Sequence, residues 1–187
     1  MHKLLKLVKP FTVVIAIMLC ASSGYAENLD SLTEGQHAFN AGNYAKALEL
    51  WQKLANDGQP EAQVFVGLAY ANGWGVKKNL EEASNWYMRA AENNSASGQF
   101  LLGLHYVTTG VNQYDVRVGI KWLKRAADNG DKQAIRFLKK AKRRNWFTDL
   151  KNDGAIDRYQ LEREGKNILE NISITANEAP KLPAPTL

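Results

Sequence analysis

The sequence predicts an all-α fold, a short α/α solenoid of stacked helical hairpins closed by a C-terminal helical cap. Three observations predict it. Val66-Gly67-Leu68-Ala69-Tyr70 returns 36 residues later as Leu102-Gly103-Leu104-His105-Tyr106. The same offset lays Ser84–Ala91 onto Ile120–Ala127, matching Trp86 with Trp122 and Ala90-Ala91 with Ala126-Ala127. Between these marks the apolar residues fall three and four apart, which is one face of a helix. Self-similarity at a fixed period is the mark of a repeat array. Its units bury their apolar faces on neighbours and offer an extended surface, not a single chemical site.

Taken in order, Met1–Pro10 carries Lys3, Lys6 and Lys9 with no acid, and Phe11–Cys20 is apolar apart from Thr12. Gly24 and Ala26 then place small residues three and one before Glu27. Basic, apolar, small is the order of a secretory signal peptide, here cut after Ala26. The apolar run is shorter than the about 20 residues a spanning helix needs. An uncleaved anchor is the alternative reading. Lipid attachment at Cys20 is disfavoured by Leu19, where such sites take a smaller residue. The mature chain is therefore expected in the periplasm or outside the cell. Loss of residues 1–26 lowers the formal charge from +5 to +2 and removes the one cysteine. No disulfide then holds the chain together, and stacked helices must do so alone.

Residues 27–146 read as the repeat domain. The first hairpin, about 30–58, carries Leu32, Gly35 and Phe39, a turn at Gly42, then Ala47, Leu48, Trp51, Leu54 and Ala55 at helical spacing. Gly58 with Pro60 ends it and starts the next helix. In the second hairpin, about 59–94, Gly67 sits in mid-helix, at about 1 kcal/mol below alanine in propensity. It belongs there if a partner helix must approach closely. Gly73-Trp74-Gly75-Val76 is the turn, and Asn79 caps the second helix with Glu82 placed to reach back. The third hairpin, about 95–130, keeps the cap as Asp115. It has Thr109 and Val111 around Gly110 where the second has Gly73 and Gly75, and Gly119 where the second has Ala83. Its turn is expected to be the least regular part of the array.

A half-unit at about 131–144 follows, with Lys139 at the register of Gly67 and Gly103. A long charged side chain there means that no further helix packs in the same way, so this is a capping helix. Asn152-Asp153-Gly154 signals a turn. Residues 147–172 read as a helical extension, with a helix over Ala155–Ile172 that Gly165 weakens. Residues 173–187, rich in proline, read as an extended flexible tail.

Spelled out, the second unit is Ala62-x-x-x-Val66-Gly67-x-x-Tyr70-x-x-Gly73-x-Gly75-Val76-x-x-Asn79-x-x-x-Ala83-x-x-Trp86-Tyr87-x-x-Ala90-Ala91, and Gly98–Ala127 is a looser copy. This pattern resembles the Sel1-like repeat family, relatives of the tetratricopeptide repeats. It covers roughly Gln59–Ala141, with the first hairpin as a divergent unit. The resemblance implies a solenoid that acts as a protein-binding adaptor or scaffold in the bacterial envelope. A structural part in an envelope assembly, such as a flagellar motor ring, is the alternative it leaves open. An envelope hydrolase is a weaker one.

Chemistry points the same way. The mature chain has only His37 and His105, and no acidic cluster joins them to make a metal site. It carries no phosphate loop and no Gly-x-Ser-x-Gly elbow. Glu81 and Glu82 sit at a helix start, where the macrodipole accounts for them. We therefore expect no enzyme activity, no cofactor and no metal. Gly67, Tyr70, Trp86, Gly103, Tyr106 and Trp122 are expected to be structural, the tryptophans filling the space that the alanines leave.

A partner surface is read from the resemblance, in whose relatives the first helices of the hairpins make the concave face. Val64 and Leu68, Phe100 and Leu104, then Arg136 and Lys140 occupy equal register on those helices. They would form an apolar groove turning basic at its C-terminal end, suited to a peptide with apolar anchors and acidic residues. The competing readings are that these residues are core, or that Ile168, Leu169 and Ile172 of the same chain cover them. Lys132–Arg144 holds seven basic residues and no acid. This run is either a solvated cap face or a surface for an acidic protein or anionic lipid, weakening with salt. Nucleic acid is not expected for an exported chain.

Overall fold

The computed structural model describes residues 31–110, 113–146 and 157–177, with side chains omitted at 113–114 and 173–177. The N-terminal segment read above as a signal peptide, Val111, the expected turn at Asn152-Asp153-Gly154 and the Pro-rich stretch from 178 onward lie outside the described residues. Among the described residues there are eight helices and no strand. They are α1 (31–40), α2 (Tyr44–Asn56), α3 (Pro60–Asn72), α4 (Leu80–Glu92), α5 (Ala96–Thr109), α6 (Gln113–Asp128), α7 (Lys132–Arg143) and α8 (Arg158–Asn177).

Helices α2 to α7 pack in chain order, each on the next. The ends explain the boundaries. Asn43, Asn79, Ser95 and Asp131 each accept a bond from a first-turn amide at the start of α2, α4, α5 and α7. The expected back-reach by Glu82 is not needed, because the Asn79 amide donates to the Tyr70 carbonyl, 2.9 Å away. Between units the chain turns through a left-handed residue at the same register each time: Gly58, Asn94 and Gly130, at φ +89°, +63° and +86°. Asparagine is the residue other than glycine that enters this region most readily.

Two positions bring helices unusually close. A methyl group at Gly67 would lie 2.5 Å from the Tyr87 ring and 3.3 Å from the Ala83 carbonyl. At the α5–α6 crossing the approach is backbone to backbone. A methyl at Gly103 would lie 2.9 Å from the Gly119 oxygen, and one at Gly119 would lie 2.8 Å from the Gly103 oxygen. Gly119, which stands where the second unit has Ala83, is thus the other half of a close crossing.

Consecutive units are joined by a second device that repeats in step with the first. Buried Gln63 donates to the Ala55 carbonyl (3.1 Å) and accepts from Asn93 (3.1 Å). One period later, buried Gln99 donates to the Ala91 carbonyl (3.3 Å) and accepts from Asn129 (2.8 Å). Each pair ties the helix before a unit to that unit and to its end. The next register position is Ile135, and there the series stops.

The core divides into two contiguous clusters. One gathers α1 to α3 around Trp51, with Trp86 of α4; the other runs from Val64 to Leu161 and takes in α4 to α8. Gly73-Trp74-Gly75 is more than a turn. Trp74 reaches back to Phe39 (4.8 Å between ring centres) and Tyr44 (6.5 Å), and Gly75 presses on the Tyr44 backbone. The third unit has no such plug, and the Gly110 carbonyl there accepts from Arg158 at the start of α8.

The C-terminal expectations need correction in two respects. The helical extension continues to Asn177, so the first residues assigned to a flexible tail are helical. Gly165 does not break α8 but lets it approach α5, since a methyl there would lie 2.7 Å from the Thr108 methyl.

Gly103→Ala should destabilise the fold by about 1–3 kcal/mol despite alanine's higher helix propensity, because the obstacles are a backbone oxygen and a buried leucine. Urea unfolding measures it, and an unchanged or higher midpoint would refute the close crossing. A double-mutant cycle on Gln99→Ala and Asn129→Ala should show coupling of at least about 0.5 kcal/mol. Additive effects would mean that the bond holds nothing together.

Candidate partner-binding surface

The first helices of the hairpins, α3, α5 and α7, carry the residues expected to face a partner, and α8 lies against this layer. Leu161 of α8 is fully buried, and Ile168, Leu169 and Ile172 pack on the same core as Leu104 and Val107 of α5. Val64, Phe100 and Leu104 are accordingly buried, at 8%, 3% and 0% exposure, and Leu68 is half-buried. The expected open apolar groove is therefore corrected. Its central stripe is covered by the chain's own last helix, the alternative that Ile168, Leu169 and Ile172 had raised. The physical reason is plain in α5, where eight of fourteen residues are buried. A helix apolar on so many sides needs a neighbour on the face that α4 and α6 leave open.

Arg136 and Lys140 have a different fate. Both lie at the edge of the covered stripe, on α7. Arg136 is exposed, while Lys140 is half-buried, donating to Glu164 of α8 at 2.6 Å and standing 5.9 Å from the Trp146 ring centre. With both partners partly in solvent, this ion pair contributes about 1 kcal/mol or less. Its larger effect is to set the position of α8 beside α7. A cleft of about 370 Å³ remains between the two helices, floored by Phe137, Ile168 and Ile172.

The residues assigned to structure serve it. Trp86 is buried and Trp122 half-buried, and each carries an arginine of the next turn over its ring: Arg89 at 4.5 Å and Arg125 at 5.4 Å. Tyr70 and Tyr106 pack half-buried against the core. Gly67 and Gly103 are the close crossings already described. Sequence reasoning missed Gln63, Gln99, Asn93 and Asn129, although their recurrence at the repeat offset was visible. It also missed Glu164, whose partner is remote in the chain.

No group of three or more His, Cys, Asp or Glu side chains comes together among the described residues. His105 lies in a second cleft, of about 330 Å³, between α3, α5 and α8. Burial lowers its pKa below the ordinary 6.5. The folded state therefore resists protonating it, and the unfolded state does not. The contribution of His105 to stability is complete above about pH 6.5 and is lost as the pH falls below that value. In His105→Ala, which restores the residue found at the matching position Ala69, this acid-side decline should be smaller. Urea midpoints between about pH 7 and 5 measure it; equal slopes in both proteins would refute it.

Comparison with known proteins places this architecture. A model of the Sel1 repeat matches residues 35–59, 60–95 and 96–131, so the first hairpin is matched as a shorter unit of the same family. The crystal structure of a Sel1 repeat protein from Oxalobacter formigenes superposes with a TM-score of 0.54 at 34% identity, over 72% of this chain. The present chain spans 55% of that one. No curated protein matches. With three consecutive units matched and their close crossings in place, the chain belongs to the Sel1 repeat family.

Proposed function

We infer that this chain mediates protein–protein interactions, as Sel1 repeats generally do. We propose that this chain is an exported adaptor or scaffold of the bacterial envelope that takes a protein partner on its first-helix surface, at the end α8 leaves accessible. The observation that carries the reading is α8 itself. The surface of α3, α5 and α7 already holds an amphipathic helix, through apolar contacts to α5 and a carboxylate on Lys140. A surface that accepts one helix in this way has the shape and chemistry for helix-in-groove recognition. Val64, Phe100 and Leu104 act from beneath, by seating α8, while Leu68, Arg136 and Lys140 stay within reach. The reading includes no catalysis and no cofactor. Export rests on the basic, apolar and small-residue order of residues 1–26.

Export predicts that mass spectrometry of the chain recovered from its native host finds Glu27 at the N-terminus in the periplasmic or secreted fraction. An intact Met1 in the cytoplasm would overturn it. For the adaptor role, the full-length tagged chain should retain a defined soluble protein from envelope extracts, and retention should weaken at high salt. Co-purification with a large assembly would favour a structural component instead, and recovery of no protein at either salt would end the adaptor reading.

A further inference from the structure

The run Lys132–Arg144 carries seven basic residues, six of them on α7, and only Lys140 has a carboxylate partner among the described residues. Lys132, Arg136, Lys139 and Arg143 follow one another at steps of four, three and four. At 3.6 residues per turn they fall within about 60° of one another and run about 16 Å along the helix. Ala134, Phe137 and Ala141 form the opposite, buried face. All four stripe residues are exposed, and none is paired with an acid among the described residues. Like charges at such spacing destabilise a helix. Only Arg143, in the last turn, gains from the helix dipole; no acid among the described residues offsets the rest.

Beside the stripe lies the α7–α8 cleft, with Phe137, Ile168 and Ile172 below and Arg136 and the Lys140–Glu164 pair at its margins. Glu164 shows what this wall accepts: a carboxylate on a helix, with apolar residues one and two turns onward at Ile168 and Ile172. The pattern is already realised once, inside the chain.

Resting on the adaptor reading, we infer that the α7 stripe and the adjoining cleft dock an acidic segment of a partner protein that carries a large apolar side chain. The carboxylates lie along Lys132, Arg136, Lys139 and Arg143, and the apolar anchor enters the cleft. Charge complementarity selects an acidic ligand, and the cleft selects a polypeptide over a bilayer. The apolar face of α7 is turned into the core, leaving Ile135, at 45% exposure, as the one large apolar side chain among the basic ones. A bilayer would meet charge and little else, and could not enter a concave site.

The test uses the full mature chain and a fluorescent synthetic peptide with glutamates at i, i+4 and i+7 and one leucine. Controls are the glutamine version of the peptide, and phosphatidylglycerol vesicles. The acidic peptide should bind and lose affinity with salt, and the glutamine peptide should not bind. The triple variant Lys132→Glu, Arg136→Glu, Lys139→Glu should weaken binding by about tenfold or more. Its far-ultraviolet circular dichroism should be unchanged, because these side chains point to solvent. Shift mapping on the wild-type chain should place the peptide at α7 and α8 whether or not the variant folds. Absence of binding, equal binding by the folded variant, or shifts confined to other helices would overturn the assignment. So would tighter, stripe-dependent binding to the vesicles. If the triple variant still retains the partner from envelope extracts, this docking site fails while the adaptor reading stands. If neither protein retains one, the adaptor reading itself fails.

Discussion

Where α5 crosses α6, Gly103 and Gly119 stand face to face with no side chain between the two backbones. The rest of the array depends on that separation. It sets how far α6 lies from α5, hence how Leu123 and Ile120 fill the space beneath, and hence the plane on which α7 is laid. At the preceding crossing Gly67 meets the ring of Tyr87, so the two hairpins are built on the same plan with unequal spacers. At the third position Lys139 forbids the arrangement, and the stacking ends.

The buried glutamines act on a different axis. Close crossings fix the distance within a hairpin; the bonds from Gln63 to the Ala55 carbonyl and from Gln99 to the Ala91 carbonyl fix the register between hairpins, with Asn93 and Asn129 holding each glutamine in place. A purely apolar interface between alanine-rich helices could slide, because small side chains interlock weakly. A buried amide whose bonds are met in only one register penalises every other. Ile135 occupies the next position of the series, and it is exposed.

Much of this was legible in the sequence, and the reason is periodicity. A feature present in two copies at one offset, such as Gly67 with Gly103 or Trp86 with Trp122, reports a shared local environment. The helices, their stops at Gly58 and Gly130 and the capping role of α7 all follow from it. What periodicity cannot report is an event that happens once. Gly165 looked like a weak point because the helix it faces was unknown. Leu104 looked available because α8 has no counterpart in the repeat. Gln63 and Gln99 are a different case: the repeat displays them at one offset, but a glutamine on a helix carries no local mark of burial. Only Asn93 and Asn129, paired with them, reveal that the polarity is consumed inside.

The return of α8 to α5 also has a consequence in time. The units stack on near neighbours, so they can fold in the order in which they are synthesised. Helix α8 is different, for its partner lies well upstream, and Gly165 must wait to meet Thr108, 57 residues before it. Until Arg158–Asn177 arrives, Leu104 and Val107 face water on a nearly finished protein. In that interval a chaperone or a neighbouring chain can occupy the surface that α8 later claims. The last helix thus closes a window that the repeats alone would leave open.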